Sequence, residues 1–67
     1  MNEKELKAVL IKEYLTICEL LEETPKDEFL RGNRWEIINL YSKLFNVALH
    51  TARYELEQLN TTTKERR

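Results

Sequence analysis

The chain holds one histidine and one cysteine, and the surroundings of each decide what chemistry is open to it. Cys18 follows Tyr14 by four residues and precedes Leu21 by three, the spacing of one apolar helix face. It reads as a small buried hydrophobe. His50 falls on the polar side of a later helical segment and has no nucleophile or carboxylate partner in the pattern. The adjacent acids Glu22-Glu23 and Asp27-Glu28 flank a helix junction, where carboxylates stabilise the positive N-terminal end of the next helix. No HExxH, CxxC or Gly-rich phosphate loop occurs, so neither a metal nor a cofactor is expected. A chain of 67 residues offers little wall for a water-excluding pocket. The expectation is a protein that is not an enzyme.

The elements that position these residues follow from composition and periodicity. One Gly and one Pro in 67 residues argue against an all-β domain, which needs frequent turn signals. A hydrophobic content of 42% beside 34% charged residues suffices for a core. One Cys excludes an internal disulfide. The longest apolar run, Ala8-Val9-Leu10-Ile11, is far too short for a membrane span or a signal-peptide core. A soluble, cytoplasmic, helical domain is therefore expected.

Residues 3–22 contain no helix breaker. At 100° per residue, Leu6, Val9, Leu10, Tyr14, Ile17, Cys18, Leu20 and Leu21 fill one broad arc, opposite Lys12, Thr16, Glu19 and Glu23. That arc is wider than one neighbouring helix needs. A second copy of the chain could cover part of it, and Leu10, Tyr14, Ile17 and Leu21 are the dimer candidates. Thr24 and Pro25 are placed to cap and open a short second helix reaching Arg31, with Phe29 and Leu30 as its anchors. Gly32 then suits a left-handed helix end, and Asn33 with Glu36 has capping-box spacing. A third helix over 34–45 aligns Ile37, Ile38, Leu40, Tyr41, Leu44 and Phe45, with Trp35 off the stripe near its start, as a staple against the second helix or as an exposed anchor for a partner. A fourth over 49–59 aligns Leu49, Ala52, Leu56 and Leu59. Residues 61–67 are polar and basic and are expected to be disordered, leaving 1–60 as one domain. The fold class is all-α, a small three- to four-helix bundle.

Residues 36–59 have helix-turn-helix proportions about the turn Asn46-Val47-Ala48. Ser42 is small where two helices must approach. Phe45 and Val47 bracket the turn, and Ala52 permits close packing. The stretch from Asn46 to Leu59 resembles the turn and recognition helix of GntR-type regulators, whose pattern runs roughly Gly-Val-Ser-x-x-Thr-Val-Arg-x-Ala-Leu-x-x-Leu. Val47, Thr51, Arg53, Leu56 and Leu59 match it. The resemblance implies DNA contact by Thr51 and Arg53 and core positions for Leu56 and Leu59. Asn46, Ala48 and Glu55 depart from the pattern, and the eight residues after Leu59 leave no room for a wing.

His50, Thr51, Arg53 and Tyr54 are accordingly the nucleic-acid or partner-binding candidates, with Arg34, Lys43, Arg66 and Arg67 placed to meet phosphates. Residues 1–30 carry 8 acidic and 4 basic side chains, a balance of −4, and residues 31–67 carry 4 acidic and 7 basic, a balance of +3. Anion-binding capacity thus lies in the C-terminal half. Two functions remain open. One is a small regulator of transcription that contacts DNA through its last helix, as a dimer. The other is an adaptor, inhibitor or antirepressor that docks on a larger protein and touches no nucleic acid.

Overall fold

The computed structural model describes residues 2–66, and the side chains of residues 2–65. The described residues fold into three helices, α1 (Glu3–Glu23), α2 (Glu28–Leu44) and α3 (Leu49–Arg66). No strand occurs among the described residues. The fold is a small all-α bundle.

Helix α1 opens on Asn2, whose side chain accepts from the Glu5 N–H at 2.8 Å and so satisfies one donor that a helix start leaves unpaired. It closes at Thr24, whose N–H and hydroxyl both donate to the Leu20 carbonyl at 3.0 Å. Pro25 then prevents continuation. Asp27, rather than Thr24, caps α2: its carboxylate accepts from the Leu30 N–H at 3.0 Å.

The boundary expected at Gly32 and Asn33 is absent, so the second and third expected helices are one. Gly32 keeps out of the left-handed region. The stripe of Leu30, Arg34, Ile37, Ile38 and Tyr41 crosses Gly32 at helical spacing, and burying it against α1 outweighs the roughly 1 kcal/mol that a mid-helix Gly costs. One continuous helix also turns Phe29 outward. It is 76% exposed and is not a core anchor.

The link from α2 to α3 is a Schellman-type closure. Asn46 adopts φ 51°, the Val47 N–H donates to the Ser42 carbonyl at 3.1 Å, and the Ser42 hydroxyl donates to the Val47 carbonyl at 2.6 Å. Asn tolerates the left-handed region better than most side chains do, which suits it to this position. Phe45 and Val47 pack on the core.

Helix α3 extends well past Leu59, so 61–66 is helical and not a disordered tail. Its added turns are held in part by the Thr62 and Thr63 hydroxyls, which donate to the Gln58 and Leu59 carbonyls at 2.9 Å. Leu49 and Leu59, expected in the core, are both partly exposed.

Lys7 lies over the Tyr41 and Phe45 rings, 5.7 and 5.6 Å from their centroids, while Arg34 acts on Cys18 one helix end away. Helices α1 and α2 are therefore antiparallel. Helix α3 returns alongside α1, with Tyr54 and Leu59 near Lys7 and Ile11, and Lys64 Nζ 2.6 Å from Glu22 Oε1. Leu10, Tyr14, Cys18, Ile37, Ile38, Tyr41, Ala52 and Leu56 form the core. Leu10, Tyr14 and Leu21 are buried within the single chain, Leu10 and Tyr14 in the core shared with α2 and α3, so none of the three is open to a second copy. Of the four dimer candidates only Ile17 keeps exposed area.

A Cβ built at Gly32 meets nothing within 4 Å. Gly32→Ala should raise stability by about 0.5–1 kcal/mol in urea denaturation, since Ala favours helix and narrows the unfolded ensemble. A helix ending at Gly32 would give the opposite sign.

Candidate docking site

Two surfaces compete for a functional role. The first is the exposed side of α3. Arg53 and Tyr54 do not project together. The Arg53 guanidinium lies 5.7 Å from the Trp35 ring centroid, and its Nε donates to Glu57 Oε1 at 3.2 Å. It therefore leans toward α2. Tyr54, about 100° further round, leans toward α1 and borders an open groove with Lys7, Ile11 and Leu59. His50 is exposed near the start of α3, and Thr51 is half-buried.

Of the remaining basic candidates, Lys43 is exposed in the last turn of α2. Arg34 is half-buried, and its positive charge opposes the rise in the Tyr14 and Cys18 pKa values. Arg66 ends α3, and Arg67 lies outside the described residues. The basic groups are thus spread over several sides of the bundle.

Glu55, where the GntR-type pattern has a small residue, has a structural use: it accepts from the Tyr41 hydroxyl at 2.9 Å and ties α3 to α2. The separation of Tyr41 and Glu55 in sequence gives no sign of this pair. Trp35 is likewise no staple between two short helices; it is 44% exposed and carries Arg53 on its face.

The second surface is one that sequence reasoning only half found. On α1, Ile11 and Glu22 face α3, so Val9, Thr16 and Leu20 lie on the opposite flank. On α2, Trp35 and Ile38 lie toward α3, so Phe29, Leu40 and Leu44 lie on the opposite flank. The two flanks are neighbours. Together they form an outer face of the α1–α2 hairpin that α3 does not touch. Nine large apolar side chains among the described residues are notably exposed, and five of them, Val9, Leu20, Phe29, Leu40 and Leu44, belong to this face. A shallow depression of about 460 Å³ runs along its α1 side past Val9, Glu13, Thr16 and Ile17. The five fall at the two ends of the face, Val9 with Leu40 and Leu44 and Leu20 with Phe29, and exposed apolar groups gathered on one face are where monomeric surfaces meet partners.

No protein-family model, curated protein or solved structure matches the chain. No helix among the described residues is long and apolar enough to cross a membrane. No group of His, Cys, Asp or Glu side chains among them could hold a metal ion.

The buried hydroxyls and thiol have structural signatures of their own. Burial pushes the Tyr14 phenol and the Cys18 thiol up, and burial with the Glu55 hydrogen bond does the same for Tyr41. In each case the folded state favours the protonated form. The associated stability is present below the ordinary thiol and phenol values of 9.0 and 10.0 and is lost as pH rises through the higher folded-state values. The urea midpoint should fall as pH passes about 9 to 10, and Tyr14→Phe should flatten that fall.

Proposed function

We propose that this chain is a small protein-binding protein, of the adaptor or inhibitor kind, that docks through the outer face of the α1–α2 hairpin. The observation that carries the reading is the concentration of exposed Val, Leu and Phe side chains on that one face. A face of that composition gains from contact with another apolar protein surface and has little to offer phosphate. The reading is of a binder and not a catalyst, because the reactive groups with shifted pKa values, Tyr14, Cys18 and Tyr41, serve the core. A second copy of the chain is one protein that could occupy the face.

Duplex DNA contacted by α3 is the competing reading, and one feature favours it: the tight α2–α3 turn with the basic balance of residues 31–67. Two features weigh against it. Arg53, the residue best matched to a base-reading role, already has Glu57 and Trp35 as partners. The overall pI near 5.8 is also far below the value of about 9 typical of nucleic-acid-binding domains.

Photo-crosslinking groups placed at position 40 on the outer face and at position 50 on α3 separate the two. Adducts to protein from position 40, with none from position 50, are the expected result. Titration of fluorescent duplex DNA at low salt should give no binding. Salt-dependent DNA binding, weakened by Arg53→Ala, would overturn the docking reading in favour of the regulator.

A further inference from the structure

The outer face has a symmetry that points to what covers it. Along α1, its large apolar groups are Val9 and Leu20, eleven residues or about three turns apart, with Glu13 and Thr16 between them. Along α2, Phe29 and Leu40 have the same separation, with Asn33 and Glu36 between them, and Leu44 lies one turn beyond Leu40. From Val9 to Leu20 and from Phe29 to Leu40 each ridge is thus apolar at both ends and polar at its middle. Those stretches read the same in either direction.

The midpoints of the two ridges also coincide. Lys7 of α1 lies over Tyr41 and Phe45 of α2, and Arg34 of α2 acts on Tyr14 and Cys18 of α1. Levels on the antiparallel pair therefore match residues whose numbers sum to about 50. The centre of the α1 ridge falls between Tyr14 and Leu15, and the centre of the α2 ridge falls between Arg34 and Trp35. Those two points lie at nearly the same level. A single axis across the hairpin can pass through both.

We propose that the outer face of the α1–α2 hairpin is covered by a second copy of this chain, related by a two-fold axis that runs across both helices at these midpoints. The proposal rests on the reading of this face as a protein-docking surface. Rotation about that axis lays α1 antiparallel on the partner's α1 and α2 on the partner's α2. Val9 then faces the partner's Leu20, and Phe29 faces the partner's Leu40. Glu13 meets the partner's Thr16, and Asn33 meets the partner's Glu36. An isologous contact requires a patch that is its own complement; from Val9 to Leu20 and from Phe29 to Leu40 this face is one, and Leu44 beyond them falls at the level of the partner's Pro25.

Charge selects this axis over the alternative. The turn end of the hairpin carries Glu23, Asp27 and Glu28 with Lys26, a balance of −2, while the other end carries Lys4, Lys7 and Lys43 with Glu3 and Glu5, a balance of +1. An axis along the helices would stack the acidic turn on its own copy. The axis across them sets each acidic turn beside the partner's weakly positive end. Size fits as well. The five exposed apolar side chains offer on the order of 500 Å² of area, most of the apolar share of the roughly 800 Å² that each partner of a standard interface buries. The assembled dimer would have an antiparallel four-helix centre with one α3 on either outside.

Light scattering behind a sizing column, read with circular dichroism, tests this. At about 100 µM, where a micromolar dimer is formed, the chain should run at twice its 8.1 kDa mass. Leu40→Glu should weaken self-association by about a hundredfold or more and leave helicity unchanged, since Leu40 is not part of the core. Val9→Lys should do the same. The double variant Val9→Lys with Leu20→Glu should recover the dimer, because the introduced ammonium of one copy then faces the introduced carboxylate of the other. Within one chain the two positions are about three turns apart and cannot pair. A wild-type chain that stays monomeric overturns the proposal even if position 40 crosslinks to other proteins, an outcome that leaves the docking reading standing. A dimer that survives Leu40→Glu overturns the choice of face. Failure of the double variant to recover overturns the axis.

Discussion

Two antiparallel helices present two broad faces, and a chain with one further helix can bury only one of them. That constraint orders the rest of this structure. Helix α3 takes one face of the α1–α2 hairpin, placing Ala52 and Leu56 in full burial against Tyr14, Ile38 and Tyr41. The opposite face keeps Val9, Leu20, Leu40 and Leu44 half in water and Phe29 mostly so. A chain of this length buries a smaller share of its surface than larger domains do, and association is a common remedy. The exposed face is thus a consequence of having three helices where four would close the bundle.

The same economy shapes the surface of α3. Its polar groups serve intramolecular contacts. Glu55 holds the Tyr41 hydroxyl, Glu57 holds Arg53 over Trp35, and Lys64 meets Glu22 of α1. Exposed ion pairs of this sort add little stability each, on the order of 0–1 kcal/mol. Their effect is to set where α3 sits on the hairpin. Two of the cations in the basic half of the sequence, Arg53 and Lys64, therefore each stand beside a carboxylate.

Much of the architecture is legible in sequence because periodicity reports burial directly. The apolar arc of α1 is too wide for one neighbour, and in the structure it divides between α2, α3 and the outer face. Where local signals compete with tertiary packing, the local signals lose. Gly32 followed by Asn33 and Glu36 has the form of a helix stop and restart, yet the stripe from Leu30 to Tyr41 runs through it. Phe29 reads as inward only if the helix breaks there. Polarity after Asn60 suggests disorder, while threonine back-bonding and the Lys64–Glu22 contact continue the helix. The docking face is half visible. Its α1 side shows in the arc, but its α2 side needs Gly32 to be helical before Phe29 and Leu40 share a flank.

The central claim is that the outer face of the hairpin is covered in solution by another copy of the chain. Isotope-filtered nuclear Overhauser spectroscopy on an equal mixture of labelled and unlabelled chain tests it most directly. Contacts between the Val9 methyls of one copy and the Leu20 methyls of the other are expected, with Phe29 ring contacts to the Leu40 methyls of the partner. An absence of contacts between copies, with the Val9, Leu20 and Leu40 methyls open to a soluble paramagnetic probe, would contradict it.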